Sequence, residues 1–304
     1  MSDSIIQKAA SLPTVVNLGK DELEFLKTQM KIDDEDELKA HILAVQKEAY
    51  AVYPYPCIRN LSFARCKISR YPIYPQILKL GRERPGAILL DIGCCFGNDA
   101  RKAVADGFPI DQVITSDLRE EYWELSHKFY KSTPESYPVR FIPGDIFDPA
   151  LIEPAEPLYG EPPAGDVPSL KTISSLTPLA HRVSVIHASS FFHLFNEENQ
   201  TIVAKRMAGL LSPEPGSIIC GSHIGAKFKG VAPSAMKKIY FGHSPESWNE
   251  LWDGVVFKKG TVKCVAGLYE VPRERLAQLC PGADLEGLQA ELGVNILAFS
   301  ITRL

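Results

Sequence analysis

Between Pro85-Gly86 and a glycine-containing loop lies a short unbroken apolar run, Ala87-Ile88-Leu89-Leu90-Asp91-Ile92. A run this brief, apolar on both alternating faces, fits a strand buried on both sides of a parallel sheet. Parallel neighbours need long crossover connections, so the chain must supply helices between its strands. The segments that follow do so. A helix-compatible stretch covers 98–105, a second strand is expected over 112–117, and a helix runs on through Tyr130. A third strand reads at 139–142, and after a proline-rich interval a fourth at 183–187. Asn196 is a good N-cap for the next helix, with Glu197 and Glu198 in its first turn. A fifth strand follows at 217–221, and Ser244-Pro245 opens another short helix, serine as cap and proline at the first helical position. Strand-like segments at 261–269 and 294–301 close the chain, joined by a helical stretch over 272–292. The expectation is an α/β fold: a doubly wound, mostly parallel, seven-stranded sheet.

Ahead of the first strand, Leu38, Ile42, Val45, Ala49 and Val52 recur at steps of four and three, one apolar stripe of a helix. The acidic run 33–37 suits its N-terminal end, and Pro54 stops it. With no internal repeat and no clean linker, the 304 residues read as one domain: a helical extension over 1–85 and an α/β core over 86–304. The 33 Lys and Arg against 37 Asp and Glu leave a net charge of −4, with no electrostatic footprint for nucleic acid or an anionic membrane. No apolar run is long enough for a bilayer and the polar N-terminus lacks a signal-peptide pattern, so a cytoplasmic location is expected. The seven cysteines show neither CxxC pairs nor zinc spacing, which points to free thiols in a reducing compartment and no metal. The 23 prolines are clustered. Seven fall within 149–178, expected as a rigid surface excursion, and four close Tyr-Pro dipeptides between Tyr53 and Pro75. The latter are expected to hold the backbone extended, either as a lid or as a segment that wraps the core.

In open α/β sheets the ligand sits at the carboxyl ends of the strands. That rule singles out Asp91-Ile92-Gly93-Cys94-Cys95-Phe96-Gly97. Gly93 allows a tight turn and Gly97 a close approach at the helix start. Asp117, twenty residues past Gly97, ends the second strand where a carboxylate accepts hydrogen bonds from both ribose hydroxyls of a nucleoside. A NAD-binding loop needs three glycines for close backbone approach to a pyrophosphate. Here Cys95 sits between the two glycines, and the carboxylate of Asp91 would repel a pyrophosphate while tolerating an ammonium.

Asp91-x-Gly93-x-Cys95-x-Gly97 resembles the first motif of class I S-adenosylmethionine-dependent methyltransferases, with Cys95 replacing the middle glycine. Asp117 matches the acid that ends that superfamily's second strand, and Gly144-Asp145-Ile146 its third-strand loop. The resemblance implies the Rossmann-like methyltransferase fold, with S-adenosylmethionine as cofactor. Its contacts are then Asp91, Gly93, Cys95, Gly97, Asp117, Leu118, Asp145, Ile146 and His187. Segments 187–195, 210–219, 242–248 and 55–59 resemble a group of fungal terpenoid and meroterpenoid methyltransferases, several of which form methyl esters. That implies O-methylation of a carboxylate on a hydrophobic small molecule in secondary metabolism. Alternatives are methylation of a phenol oxygen, nitrogen or carbon, a silent relative that keeps the fold, or an NAD-dependent oxidoreductase.

A carboxylate is already nucleophilic at neutral pH, whereas a phenol or alcohol needs a general base. His193, His223 and His243 fall after the fourth and fifth strands, where such a base would stand. His193, between Phe192 and Leu194, is equally suited to packing. His41, His127 and His181 read as structural or solvated, and Cys94 and Cys95 as small buried residues. On the extension, Tyr53 and Tyr55 are expected over the acceptor, with Arg59 for its carboxylate. Lys227, Lys229, Lys237 and Lys238 either solvate a loop or attract an anionic acceptor. Oligomeric state is left open.

Overall fold

The computed structural model describes residues 12–165, 168–233, 239–270 and 295–304. Five strands run parallel: β1 (Leu89–Ile92), β2 (Val113–Asp117), β3 (Arg140–Pro143), β4 (Val185–His187) and β5 (Ile218–Gly225). β8 (Val262–Glu270) and β9 (Asn295–Arg303) complete a seven-stranded sheet of order β3-β2-β1-β4-β5-β9-β8, with β9 antiparallel to both neighbours. The chain moves outward one way from β1 to β3 and the other way from β4 to β5. The switch point therefore lies between β1 and β4, the place where open α/β sheets bind their ligands.

Alternate strand residues feed two cores. Leu90, Ile186 and Ile219 join Phe192, Trp248 and Trp252 on one face, and Leu89, Val185 and Ile218 join Ile77 and Phe108 on the other. Each fully buried side chain of this size contributes about 1.5–3 kcal/mol from leaving water. The strands hold only three to eight or nine residues, so both faces are needed. Helices α5 (Asn98–Ala105), α6 (Glu120–Phe129) and α7 (Glu197–Leu210) make the crossovers. Asn196 caps α7 through its side chain, and Ser244 caps α8 (Pro245–Trp252), both as the sequence indicates.

The extension holds α1 (Lys20–Met30), α2 (Glu35–Val52), α3 (Pro56–Arg59) and α4 (Tyr74–Glu83). The α2 stripe Leu38, Ile42, Val45 and Ala49 packs with Leu26 and Met30 of α1 on Phe96, Tyr122 and Phe129 of the core. Buried Glu22 ties the extension to itself, pairing with Arg65 at 3.1 Å and Arg70 at 2.6 Å.

Three sequence expectations need correction. The Tyr-Pro prolines do not hold an extended strap: Pro54 ends α2, but Pro56 and Pro75 open α3 and α4, where a missing N–H costs nothing. The 149–178 stretch is not only a surface excursion. Its flanks bury Leu151, Ile152, Leu170, Ile173 and Leu176 in the main core, and buried Arg206 donates to the carbonyls of Ile152 and Phe147. Tyr159 in its exposed middle lies beneath the Lys258 and Arg303 side chains, at 4.5 and 4.9 Å. The polar stretch after β5 contains a two-stranded antiparallel unit, β6 (Gly230–Pro233) with β7 (Ile239–Gly242). The helix expected over 272–292, Lys237 and Lys238 lie outside the described residues.

Candidate functional site

The loop after β1 turns three times through left-handed backbone, at Gly93 (φ 66°), Cys95 (φ 52°) and Gly97 (φ 64°). Cys95 thus keeps the conformation of the glycine it replaces, at a cost of about 1–2 kcal/mol for its Cβ. The geometry also explains the glycines that remain. A Cβ on Gly93 would enter the Phe191 ring, and one on Gly97 would meet Trp123 at 2.7 Å. The loop is held to β2: Gly93 and Cys94 donate to the Ser116 carbonyl, and Cys95 N–H donates to Asp117 Oδ2 at 2.8 Å. Asp117 Oδ1 accepts from Arg119 N–H at 2.9 Å, so each carboxylate oxygen is aimed by one backbone donor and keeps a lone pair outward. Burial pushes the Asp117 carboxyl up, against the pull of those two N–H groups. Beside it Leu118 is 56% exposed, an apolar side chain left in solvent at the strand tip. On the next tip Asp145 is exposed and its carboxylate accepts from Phe147 N–H, while Ile146 is buried.

Asp91 and His187 are Cα partners on β1 and β4, the two strands that flank the switch point. Their side chains meet, His187 Nδ1 to Asp91 Oδ1 at 2.8 Å, and Ser189 Oγ lies 2.8 Å from the other ring nitrogen. Burial pulls His187 down, but Asp99 and Asp91 outweigh it, and the imidazole is raised above its ordinary value.

The extension reaches the same tips. α3 lies on the loop, with the Cys57 thiol against that of Cys95. The Tyr53 and Tyr55 rings meet tilted with centroids 4.3 Å apart, Arg119 stands 4.8 Å over the Tyr53 ring, and Tyr122 donates to the Tyr53 carbonyl. These tyrosines therefore stand on the Asp117 side of the switch point. Arg59 ends α3, whose Ile58 and Arg59 carbonyls are held by buried Gln46, and its buried Nε finds no partner among the described residues.

His193, His223 and His243 gather around Trp248 and its neighbours on the opposite face of β5. His223 lies 4.6 Å from Trp248, 5.7 Å from Phe192 and 5.8 Å from Phe299 by ring centroids; His243 lies 5.3 Å from Trp248. His193 packs edge-on to Tyr240. His243 bonds Ser247 Oγ through Nδ1, so it completes the α8 cap, and burial with nearby Lys229 pushes it down to about 4. His223 differs: it is 1% exposed, and neither ring nitrogen makes a well-formed hydrogen bond among the described residues. Burial first, then His193 and His243, hold it well below the ordinary histidine value, with only the Ile224 backbone opposing. It is an uncharged imidazole. His41 and His181 bond the Phe129 and Glu156 carbonyls, His127 lies 3.1 Å from Ser132 Oγ, and Lys229 pairs with Glu197.

Sequence reasoning missed the partners of His187. Ser189 lies in the 187–195 segment and Tyr71 in a Tyr-Pro dipeptide, but neither pattern pairs them, and Tyr71 lies more than a hundred residues from the serines it touches. Among the described residues no group of three His, Cys, Asp or Glu is arranged for a metal, and no helix is long and apolar enough to cross a membrane.

A family model described as the meroterpenoid methyltransferase N-terminal domain matches residues 11–64. The methyltransferase adrK of Penicillium rubens is 30% identical over 74% of this chain and 72% of its own length. The Asnovolin E/Chermesin D methyltransferase nvfJ of Aspergillus novofumigatus is 31% identical over 74% and 72%. The O-methyltransferase phiE of a fungal species is 28% identical over 80% and 74%. Among solved structures, the 1,6-didemethyltoxoflavin-N1-methyltransferase of Burkholderia thailandensis aligns over 96% of this chain and 93% of its own, with a TM-score of 0.43 and 14% identity.

Proposed function

This chain belongs to the family of fungal natural-product methyltransferases that includes adrK and nvfJ, and from that premise we propose that it uses S-adenosylmethionine to methylate a carboxylate oxygen of an apolar small molecule of the meroterpenoid kind. The observation that carries the cofactor half is the tip of β2. There a half-buried carboxylate, oriented by two backbone donors, stands beside an exposed leucine and a loop of three left-handed residues. That donor set fits a ribose and an adenine. Asp117 would accept from the ribose hydroxyls, Asp145 from the adenine amine, with Leu118 and Ile146 against the ring. Gly93, Cys95 and Gly97 would bring the backbone close, and Asp91 would supply negative charge for an ammonium. Tyr53 and Tyr55 would roof the ribose side.

S-adenosylmethionine, when bound, supplies an electrophilic methyl group on a sulfonium. The protein then has to align an acceptor oxygen behind that carbon and exclude water, since in-line displacement is governed by proximity and orientation. A carboxylate acceptor asks for no base. Arg59, with a buried unpaired Nε, would orient it.

A second reading has one observation of its own. A buried imidazole with neither nitrogen well bonded among the described residues, such as His223, has an acceptor free for a phenol or enol proton, while burial weakens it as a base. The two separate by product chemistry. Terpenoid and aromatic acids and matched phenols, incubated with methyl-labelled S-adenosylmethionine, should yield label that alkali releases as methanol, because esters hydrolyse and ethers do not. Label found only in alkali-stable products would overturn the carboxylate reading.

A further inference from the structure

The Asp91–His187 contact does not end at the imidazole. His187 Nε2 lies 2.8 Å from Ser189 Oγ, Ser189 Oγ lies 2.5 Å from the Tyr71 hydroxyl, and that hydroxyl donates to Ser222 Oγ at 2.9 Å. A single file of polar groups thus runs from the cofactor-loop strand through the tips of β4 and β5 to the N-terminal extension. Asp91, His187, Ser189 and Ser222 are all buried. Proton counting fixes the direction of the file. Each hydroxyl donates once. Tyr71 spends its proton on Ser222, so it accepts from Ser189. Ser189 has then spent its own, so it must accept from His187 Nε2–H. His187 Nδ1–H donates to Asp91. With Asp91 ionised, both ring nitrogens carry hydrogen and the file is complete with His187 as an imidazolium; burial pushes the Asp91 carboxyl up against the pull of His187 and Lys67.

Its surroundings supply the counter-charge. Asp91 faces it from β1, and Asp99 from α5, with Oδ2 at 4.0 Å from Nε2. Lys67 of the extension also acts on it and bonds Ser190 Oγ at 3.1 Å. Cys220 on β5, and Cys94 and Tyr137 near Asp91, are all pushed up by burial and stay protonated. Asp99 is itself a bridge: its Oδ1 accepts the backbone N–H groups of Lys67 and Ile68 at 2.5 and 2.7 Å. This stretch of the extension is therefore held by Asp99 through its backbone, by Ser190 through Lys67 and by the hydroxyl file through Tyr71.

We propose that Tyr71 is a positioning residue, acting through Ser189 and an imidazolium at His187 to seat the extension on the tips of β4 and β5, where the acceptor must lie. Loss of the His187 proton reverses the file, turns charge-assisted bonds into weaker neutral ones and removes the cation between Asp91 and Asp99. The sign follows from a raised histidine: the seating is complete below the ordinary histidine value of about 6.5 and is lost as pH rises through the higher folded value. The role assigned to this seating rests on reading the strand tips as the methyl-transfer site, but its test needs neither cofactor nor acceptor.

The test is amide hydrogen exchange of peptides spanning residues 67–74 in the full chain, from pH 6 to 9, corrected for intrinsic rates. In the wild type, protection should fall as pH rises. Tyr71→Phe removes one hydroxyl, should speed exchange about tenfold at the acid end, and should abolish the pH dependence. Ser189→Ala should do the same and Ser189→Thr should restore wild-type behaviour, a rescue that a mere packing role would not show. Wild-type rates in Tyr71→Phe, or pH-dependent protection that persists in Ser189→Ala, would overturn the proposal. A separate calorimetric titration with S-adenosylmethionine reads the cofactor assignment alone, so either idea can fail without the other.

Discussion

Replacing Asp117 with alanine is expected to weaken S-adenosylmethionine binding by at least about 100-fold. Two hydrogen bonds from ribose hydroxyls to a carboxylate are each worth about 1.5–3 kcal/mol, and about 1.4 kcal/mol is tenfold in affinity. The substitution has a second effect in the same direction. Cys95 N–H and Arg119 N–H lose their acceptor, and the left-handed loop at 93–97 loses the group that holds it to β2. Asp117→Asn separates the two effects: its one carbonyl oxygen can still cap a single N–H, so it should fall between alanine and wild type. Titration calorimetry reads all three. An affinity within twofold of wild type in Asp117→Ala would contradict the ribose assignment.

His223→Leu should raise stability, and its effect on rate should depend on the acceptor. The wild-type imidazole is buried without a well-formed hydrogen bond, and such a group costs about 1–3 kcal/mol relative to an apolar replacement of similar size. Leucine should therefore stabilise the protein by about 1 kcal/mol or more in denaturant titration. The gap should widen on acidification. His223 is held well below its unfolded value, so the wild type loses stability as pH falls below about 6.5, and the leucine variant does not share that loss. Turnover distinguishes the acceptors. Transfer to a phenol should drop about 10²–10⁴-fold, the usual cost of losing a general base, while transfer to a carboxylate should survive. A variant less stable than wild type would show that His223 is bonded after all.

Much of the fold is legible because its signals are local. The brevity of β1 and its apolar character on both faces follow from burial on two sides, and Asn196 and Ser244 announce their helices through capping chemistry. The geometry of the residues proposed for the cofactor is legible for the same reason, since a tight turn demands glycine and a strand tip displays its acid. Cys95 is the instructive exception: its backbone obeys the motif though its side chain does not. What the sequence hides is long-range. Tyr71 reaches Ser189 and Ser222 only because the extension folds back across the sheet, and nothing near any of the three residues marks that approach. Similarly, Tyr53 and Tyr55 read as acceptor contacts, while the turn of α3 sets them by Arg119 on the Asp117 side. The prolines mislead through an ambiguity of chemistry, because a fixed φ serves the first turn of a helix as well as an extended strap.

The most direct measurement is a calorimetric titration of the wild-type chain with S-adenosylmethionine and, in parallel, with NAD. The β1–β3 tips described above predict saturable one-to-one binding of S-adenosylmethionine and no heat of binding with NAD. Saturation by NAD with none by S-adenosylmethionine would contradict the assignment of that site.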